Sequence, residues 1–451
     1  MDSSFMRSTV SRCLNCINRL YCNITTYQAY LGILLLRLSL DIVYVFIAVS
    51  GYSCIHLDFH AYKYVLSWLV TLIMTPFIVY LYKNSSASST IILLINLIYF
   101  IPGCTLYSLS GLPDSYFLFY FFYWIVLMVW QYRIPYIHFK LPPEGVSKRL
   151  FYIIMIIVAV GAIAISGIYN NFQMNFRLDN IYELRAIRRN MEIPTIIRYF
   201  QPLATVFIPL AIVYFLSKRK YILSLGMCVI QFLLFSFGGE KYALFVIPVA
   251  IIGYYLYREN RISWFSWGLV VLNVIAMLEF IFKFRWITTY VQYRSQFVPT
   301  LISFQYYTYF TNNTPDYLSQ SILRRFGFIS DYDIAIPKII GREYWNSVAV
   351  YANNGLVGDA FSNFAWLGLL MFPLLIVLTL RLMDACAYRI DRRILITVFI
   401  GYTVSIINVP IFTVILTNGF IFMCLVLYLL PREGQRYKKY RSNQVYNNFL
   451  V

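Results

Sequence analysis

Apolar runs of about twenty residues recur along almost the whole chain, parted by short polar or basic stretches. A run of that length matches the thickness of a bilayer's hydrocarbon when coiled as a helix. None of these runs shows the strict alternation of a half-buried strand. The pattern predicts an all-α, polytopic helical membrane protein with about twelve transmembrane helices. They fall near 28–50, 64–82, 90–109, 115–131, 150–168, 198–216, 221–237, 241–257, 262–282, 360–380, 394–411 and 414–430. Three regions follow: a cytoplasmic N-terminal segment 1–27, a transmembrane domain 28–430, and a basic tail 431–451. The segment before the first span is polar and basic, without a short apolar stretch and cleavage site, so that span reads as a signal-anchor.

Two connections are much longer than the rest, at about 169–198 and 283–359. The second contains SFQYYTYFTNNTPDY, an interleaving of aromatic and polar residues that suits packed structure better than a slack linker. Short helices are expected there. No internal repeat stands out, and no pair of spans is visibly interrupted by Gly or Pro.

Charge supports one threading. The chain is 60% hydrophobic and 12% charged, with mean hydropathy +0.66; a soluble chain would carry roughly a quarter charged residues. The net charge of +18 does not require a nucleic acid, because Lys and Arg gather at the cytoplasmic ends of membrane helices. With both termini cytoplasmic, 22 of the 37 basic residues lie inside and 14 outside, with Arg37 within a span. Lys63 and Lys241 sit in short outer connections, and the remaining outer basic residues fall in the two long loops. Long loops cross largely regardless of charge, so the threading stands and leaves two basic outer loops to explain.

In the first of them, Asp179–Asn190 reads DNIYELRAIRRN. Arg185, Arg188 and Arg189 would share one face of a short helix, with Ile181, Leu184 and Ile187 forming an apolar stripe on another. Guanidinium groups so placed bind phosphate in bidentate fashion. The phosphate could belong to a substrate or to ordinary lipid headgroups. The second loop adds Arg294, Arg324, Arg325, Lys338 and Arg342, either to close on the same polyanion or to pair with Asp316, Asp331, Asp333 and Glu343. Phe237-Gly-Gly-Glu-Lys-Tyr242 reads as a tight outer turn from which Lys241 could reach a phosphate. Asn353-Asn354-Gly355 and Gly358-Asp359 read as a turn and helix cap, with Asp359 a candidate general base.

Other polar positions favour structural readings. Arg37 and Asp41 are four apart within the first span and would each cost about 3 kcal/mol unpaired at the bilayer centre, so pairing is expected. His56 and His60, with Asp58 between them, have metal-like spacing but no third ligand. Cys13-Leu-Asn-Cys16 is a single CxxC without a second pair, which favours reduced thiols over zinc. The 41 tyrosines suit sugar rings and lipid headgroups alike.

These features, in this order, resemble the O-antigen polymerase (Wzy) family of bacterial enzymes that polymerise lipid-linked oligosaccharide repeat units. IYELRAIRR at 181–189 resembles that family's Tyr-x-x-Arg-rich loop, and FSFGGEKYALF at 235–245 its Gly-x-Arg/Lys turn. RSQFVPTLISFQYYTYFTNNTPDYLSQS at 294–321 resembles an Arg-x-x-Phe-x-x-Pro segment, and NNGLVGDAFSNFAWLG at 353–368 the approach to a late span. Three departures loosen the residue correspondence: Lys241 where Arg is frequent, Ser295 where a second Arg is frequent, and Ala365-Trp366 where a Gly is common.

The resemblance implies a glycosyltransferase of the bacterial cytoplasmic membrane that needs neither metal, cofactor nor nucleotide-sugar. Donor and acceptor would both be undecaprenyl-diphosphate-linked oligosaccharides, and the product an O-antigen, capsule or exopolysaccharide. Arg185, Arg188, Arg189 and Lys241 would grip the diphosphate, with Asp359 or Glu240 as base. Arg177, Tyr182, Arg294, Arg324, Arg325, Asn353 and Asn354 would line the substrate. A chain-length regulator and a flippase are implied partners. The rival readings are an O-antigen ligase and a flippase or other transporter.

Overall fold

The computed structural model describes residues 3–84, 86–170, 172, 194–238, 241–257 and 264–432. All regular elements among them are helical, and extended backbone pairs at one isolated bridge, Asp58 with Ser110. Eight described helices are long and apolar enough to cross a membrane: Thr25–Val49, Ala61–Lys83, Ala87–Leu109, Asp114–Arg133, Glu144–Tyr169, Phe200–Ser217, Trp264–Ile281 and Leu356–Cys386. Tyr221–Ser236, Val246–Leu256 and Phe420–Leu429 are apolar but shorter. Helices satisfy their own backbone groups, which is why such runs adopt this form in hydrocarbon. The architecture is that of a multi-pass helical membrane protein.

The chain divides into two compact units. The first comprises residues 1–135, 258–380 and 399–416. Here α1 (Ser3–Val49) packs along α9 (Trp264–Ile281), and α2 (Ala61–Lys83) along the second half of α3 (Ala87–Leu109). The second comprises residues 136–257, 381–398 and 417–451. Its core is formed by α5 (Glu144–Asn170), α6 (Thr195–Ser217), α7 (Tyr221–Gly238) and α8 (Lys241–Leu256), which pack on one another. The Arg381 guanidinium lies 4.0 Å from the centroid of the Tyr136 ring and 3.2 Å from Asp384.

The expected pair in the first span is present. Arg37 is fully buried and binds Asp41 and Thr105, with further bonds to Ser67 Oγ (2.8 Å), Ser108 Oγ (3.1 Å) and the Cys104 carbonyl (3.3 Å). Tyr64 donates to the other Asp41 oxygen at 3.2 Å, and the guanidinium sits 5.4 Å from the Trp68 ring centroid. Helices α1, α2 and α3 are thus pinned through one charge. Removing a single partner of such a buried pair costs about 3–5 kcal/mol, because the other charge is left uncompensated.

Lys63 is also buried, and its ammonium donates to the carbonyls of Gly111 (3.0 Å) and Leu112 (2.7 Å). That ties α2 to the turn after α3. His60 Nε2 lies 3.3 Å from Asp58, both side chains exposed. Among the described residues, no group of three or more His, Cys, Asp or Glu side chains has metal-binding geometry.

Candidate functional site

The segment 283–359 is largely helical. Glu279, near the end of α9, accepts the backbone N–H groups of Ile287 and Thr288, both at 2.9 Å, and the Thr288 hydroxyl at 3.0 Å. Its carboxylate therefore caps the helix that follows, satisfying donors left free at a helix start. This helix begins as a wide π stretch, Thr288–Phe297, and continues as α10 (Val298–Thr311). Pro299 has no N–H to give to the preceding turn, which fits the loosened coil before it. A second π stretch, Asn96–Phe100, interrupts α3, and the two stretches pack against each other. Widened turns of this kind are frequent at functional sites.

The π stretch sorts its side chains sharply. Arg294 is exposed, its guanidinium 5.8 Å from the Tyr290 ring centroid. Gln292 is buried and donates to Asn273 Oδ1 at 3.0 Å, and Asn273 in turn donates to Ser39 Oγ at 2.7 Å. Gln296 is 1% exposed, yet neither its amide nitrogen nor its oxygen has a hydrogen-bond partner. The Gln292 and Asn96 side-chain oxygens are likewise buried and unpartnered. Each such group costs about 1–3 kcal/mol if left unmet.

A third strand of the site is the stretch 353–368. Asn353 is exposed, whereas Asn354 is buried and donates to the Pro299 carbonyl at 2.9 Å. Its Oδ1 is unpartnered. A Cβ on Gly358 would lie 2.6 Å from that oxygen, so glycine there makes room for the amide. The short helix α12 (Leu356–Phe364) packs along α10 and ends at a corner, after which α13 (Gly368–Cys386) begins.

Asp359 lies in α12 and is buried. One oxygen accepts from Asn363 Nδ2 at 3.0 Å, the other from the Ile411 N–H at 2.7 Å. Ile411 opens the short helix α15 (Ile411–Leu416) just after Pro410, where α14 (Arg392–Asn408) has stopped. The Gly355 N–H bonds the Ile407 carbonyl at 3.1 Å. Two helix interruptions, at 364–368 and 408–411, are therefore linked through Asp359 and Gly355. Pro410 marks one of these breaks, and the other turns on Ala365, with φ +45°.

That dihedral is one of several. Tyr317 (φ +50°), Leu318 (φ +64°) and Leu356 (φ +46°) also hold left-handed backbone without being glycine. Tyr317 and Leu318 are bonded through their N–H groups to Asn363, at 3.2 and 2.9 Å. Strained residues gathered around one short helix mark a functional region when the surroundings enforce them. A glycine at position 365 would hold that corner without strain.

The remaining candidates divide as follows. Arg324 is exposed, and Arg324 and Arg325 lie in the 3₁₀ turn Leu323–Phe326. Lys338 lies 5.0 Å from the Tyr351 ring centroid, and Arg342 pairs with its neighbour Glu343 at 3.2 Å. Asp316 accepts from Ser330 (2.6 Å) and from the Gln320 N–H (2.8 Å). Lys241 is the first residue of α8. Arg177, Tyr182, Arg185, Arg188, Arg189 and Glu240 lie outside the described residues. Outside the spans, the Tyr344 hydroxyl is held above the usual phenol range by burial, with the Glu343 charge adding to the effect, so it remains a donor at neutral pH.

The structure thus sets Asn354 against Pro299, with Asp359 farther along in α12 and Arg294 on the exposed side of the π stretch. Sequence reading passed over Gln292, Gln296 and Asn96. Two glutamines four apart, each amid aromatic residues, are the signal that was there to find. No protein-family model, no curated protein and no solved structure matches the chain.

Proposed function

We propose that the chain is a polysaccharide polymerase. It joins polyprenyl-diphosphate-linked oligosaccharide repeat units on the outer face of a bacterial cytoplasmic membrane, making an O-antigen, capsule or exopolysaccharide. The observation that carries this reading is the confinement of excess outer basic charge to two segments, 169–198 and 283–359, on an otherwise ordinary multi-span helical chain. The exposed Arg294 and Arg324 are consistent with it.

In the reaction the anomeric C–O bond to the donor diphosphate breaks, and a hydroxyl of the acceptor repeat unit forms the new C–O bond and gives up its proton. The transition state has oxocarbenium character, and negative charge grows on the departing diphosphate. Guanidinium groups already in place near a low-dielectric membrane face stabilise that charge without reorganising. Arg185, Arg188, Arg189 and Lys241 are assigned that role, and Arg294 and Arg325 are assigned to substrate binding. Asp359, with both oxygens committed to Asn363 and Ile411, acts here as a positioning residue; Glu240 is left as the candidate base.

Arg185→Ala and Arg188→Ala should each lower polymerisation by about a hundredfold, leaving single repeat units capped on their acceptor. Normal long polymer from both variants, at normal expression, would remove these residues from the mechanism. One observation favours a second reading: paired helix interruptions are a hallmark of transporters. A purified chain that extends lipid-linked repeats in detergent would separate polymerase from transporter. A ligase is separated by long polymer left on the carrier when the protein is missing.

A further inference from the structure

We propose that the exposed turn at the end of α9, residues 282–286, is a binding surface for the headgroups of anionic phospholipids. This surface is defined by exposure, charge and its place at the end of a span, and does not depend on the proposed reaction.

Position comes first. Helix α9 is long and apolar enough to cross a membrane, and Val271, Val274, Ile275 and Leu278 are exposed along it. An uncovered apolar face on a span meets lipid, and α9 carries that contact to its end at Ile281. The residues that follow therefore lie at headgroup level. They read Phe282-Lys283-Phe284-Arg285-Trp286, aromatic and basic side chains in alternation. Phe282, Phe284 and Trp286 are 68%, 64% and 63% exposed, and both cations are exposed as well. Water would leave those rings uncovered, whereas the headgroup layer takes rings and cations together. Lys283, with φ +60°, holds the left-handed conformation that closes a helix end.

Charge selects the lipid. The nearest acid in the sequence, Glu279, has its carboxylate committed to Ile287 and Thr288. Among the described residues, no carboxylate forms an ion pair with Lys283 or Arg285. Two cations left in that state favour a phosphate whose charge is not cancelled by an amine on the same headgroup. Arg285 is also held in place. Its guanidinium lies 5.9 Å from the centroid of the Tyr52 ring, and the Tyr52 hydroxyl pairs with that of Thr289 at 2.7 Å. A guanidinium beside a ring keeps N–H groups for a phosphate. The Trp286 ring lies 5.8 Å from that of Tyr290, which Arg294 adjoins at the same distance. A lipid-seated turn would thus hold the helix bearing Arg294 at headgroup level, where the diphosphate of the proposed substrate lies.

The test uses the full chain purified in detergent and phosphatidylglycerol that carries a photoreactive group in its headgroup region, with labelled peptides mapped by mass spectrometry. The segment 282–294 should take the label. Unlabelled phosphatidylglycerol should compete roughly tenfold better than phosphatidylcholine. Lys283→Gln combined with Arg285→Gln should cut labelling of this segment by roughly tenfold. That variant should melt like wild type in lipid-free detergent, since both side chains are exposed. Lys283→Arg combined with Arg285→Lys keeps both charges and should keep the label. The proposal is overturned by an unlabelled 282–294 segment, by equal competition from phosphatidylcholine, or by undiminished labelling of the Gln variant. Displacement of the label by inorganic phosphate at the same concentration would also overturn it, marking a site for a soluble anion. Loss of the label from the charge-keeping variant, in a chain that melts like wild type, would overturn it as well.

Discussion

Asp359 shows how far residue type and position can be read alone. An aspartate near the mouth of a span reads as a base, but its two oxygens hold Asn363 and the first N–H of α15. Asp359→Asn keeps an acceptor for the Ile411 N–H and should still make long polymer. Asp359→Leu leaves that N–H unmet and should lower stability by about 1–3 kcal/mol, measured by thermal unfolding in detergent. An Asn variant that melts like wild type but makes no polymer would return Asp359 to the chemistry. Arg37 and Asp41 were legible because an i, i+4 pair of opposite charges inside an apolar run has few other solutions. Gln296 was not. Burial of an amide depends on which helix lies opposite it, and that is decided by packing between distant segments.

At the scale of elements, the spans were legible from their length and apolarity, whereas their interruptions were only half so. Pro410 announces the end of α14, since it can neither donate nor let its predecessor stay helical. The corner at Ala365 carries no such mark. Alanine with φ +45° is a conformation that packing imposes and sequence does not advertise. The segment 283–359 was expected as an outer loop with short helices; α10 within it is mostly buried and belongs to the core of its unit.

Beyond α10, the turn holding Arg324 and Arg325 leads through Gly327 (φ +87°) to a tip where Phe326, Phe328 and Ile329 are 74%, 56% and 91% exposed. Apolar side chains beside arginines are the composition of a segment that seats in the headgroup layer. An environment-sensitive dye on the thiol of Ile329→Cys, in a variant lacking the other reactive thiols, should emit as in an apolar medium and be quenched by nitroxide-bearing lipids in reconstituted vesicles. Water-like, unquenched emission would leave Arg324 free of the lipid surface and return it to the substrate.

For the whole molecule, the distribution of charge says more than its sum. A net charge of +18 has many readings, but basic residues gathered at 169–198 and 283–359, the two segments that the charge pattern assigns to the outer face, have fewer. The helical, multi-span architecture was legible because bilayer thickness sets one length for every crossing. Twelve crossings were expected; eight described helices meet the length and apolarity of a span, and shorter helices occupy the other four positions. Short and broken helices blur that length, which is why the number was less legible than the class. The central claim is that this chain lengthens a glycan on its lipid carrier. Deleting its gene in the host, and resolving both the surface glycan and the carrier-linked glycan on a gel, tests that claim most directly. The account predicts single repeat units on the acceptor and no ladder of longer chains. An unchanged ladder, long polymer held on the carrier, or repeat units trapped on the inner face of the membrane would contradict it.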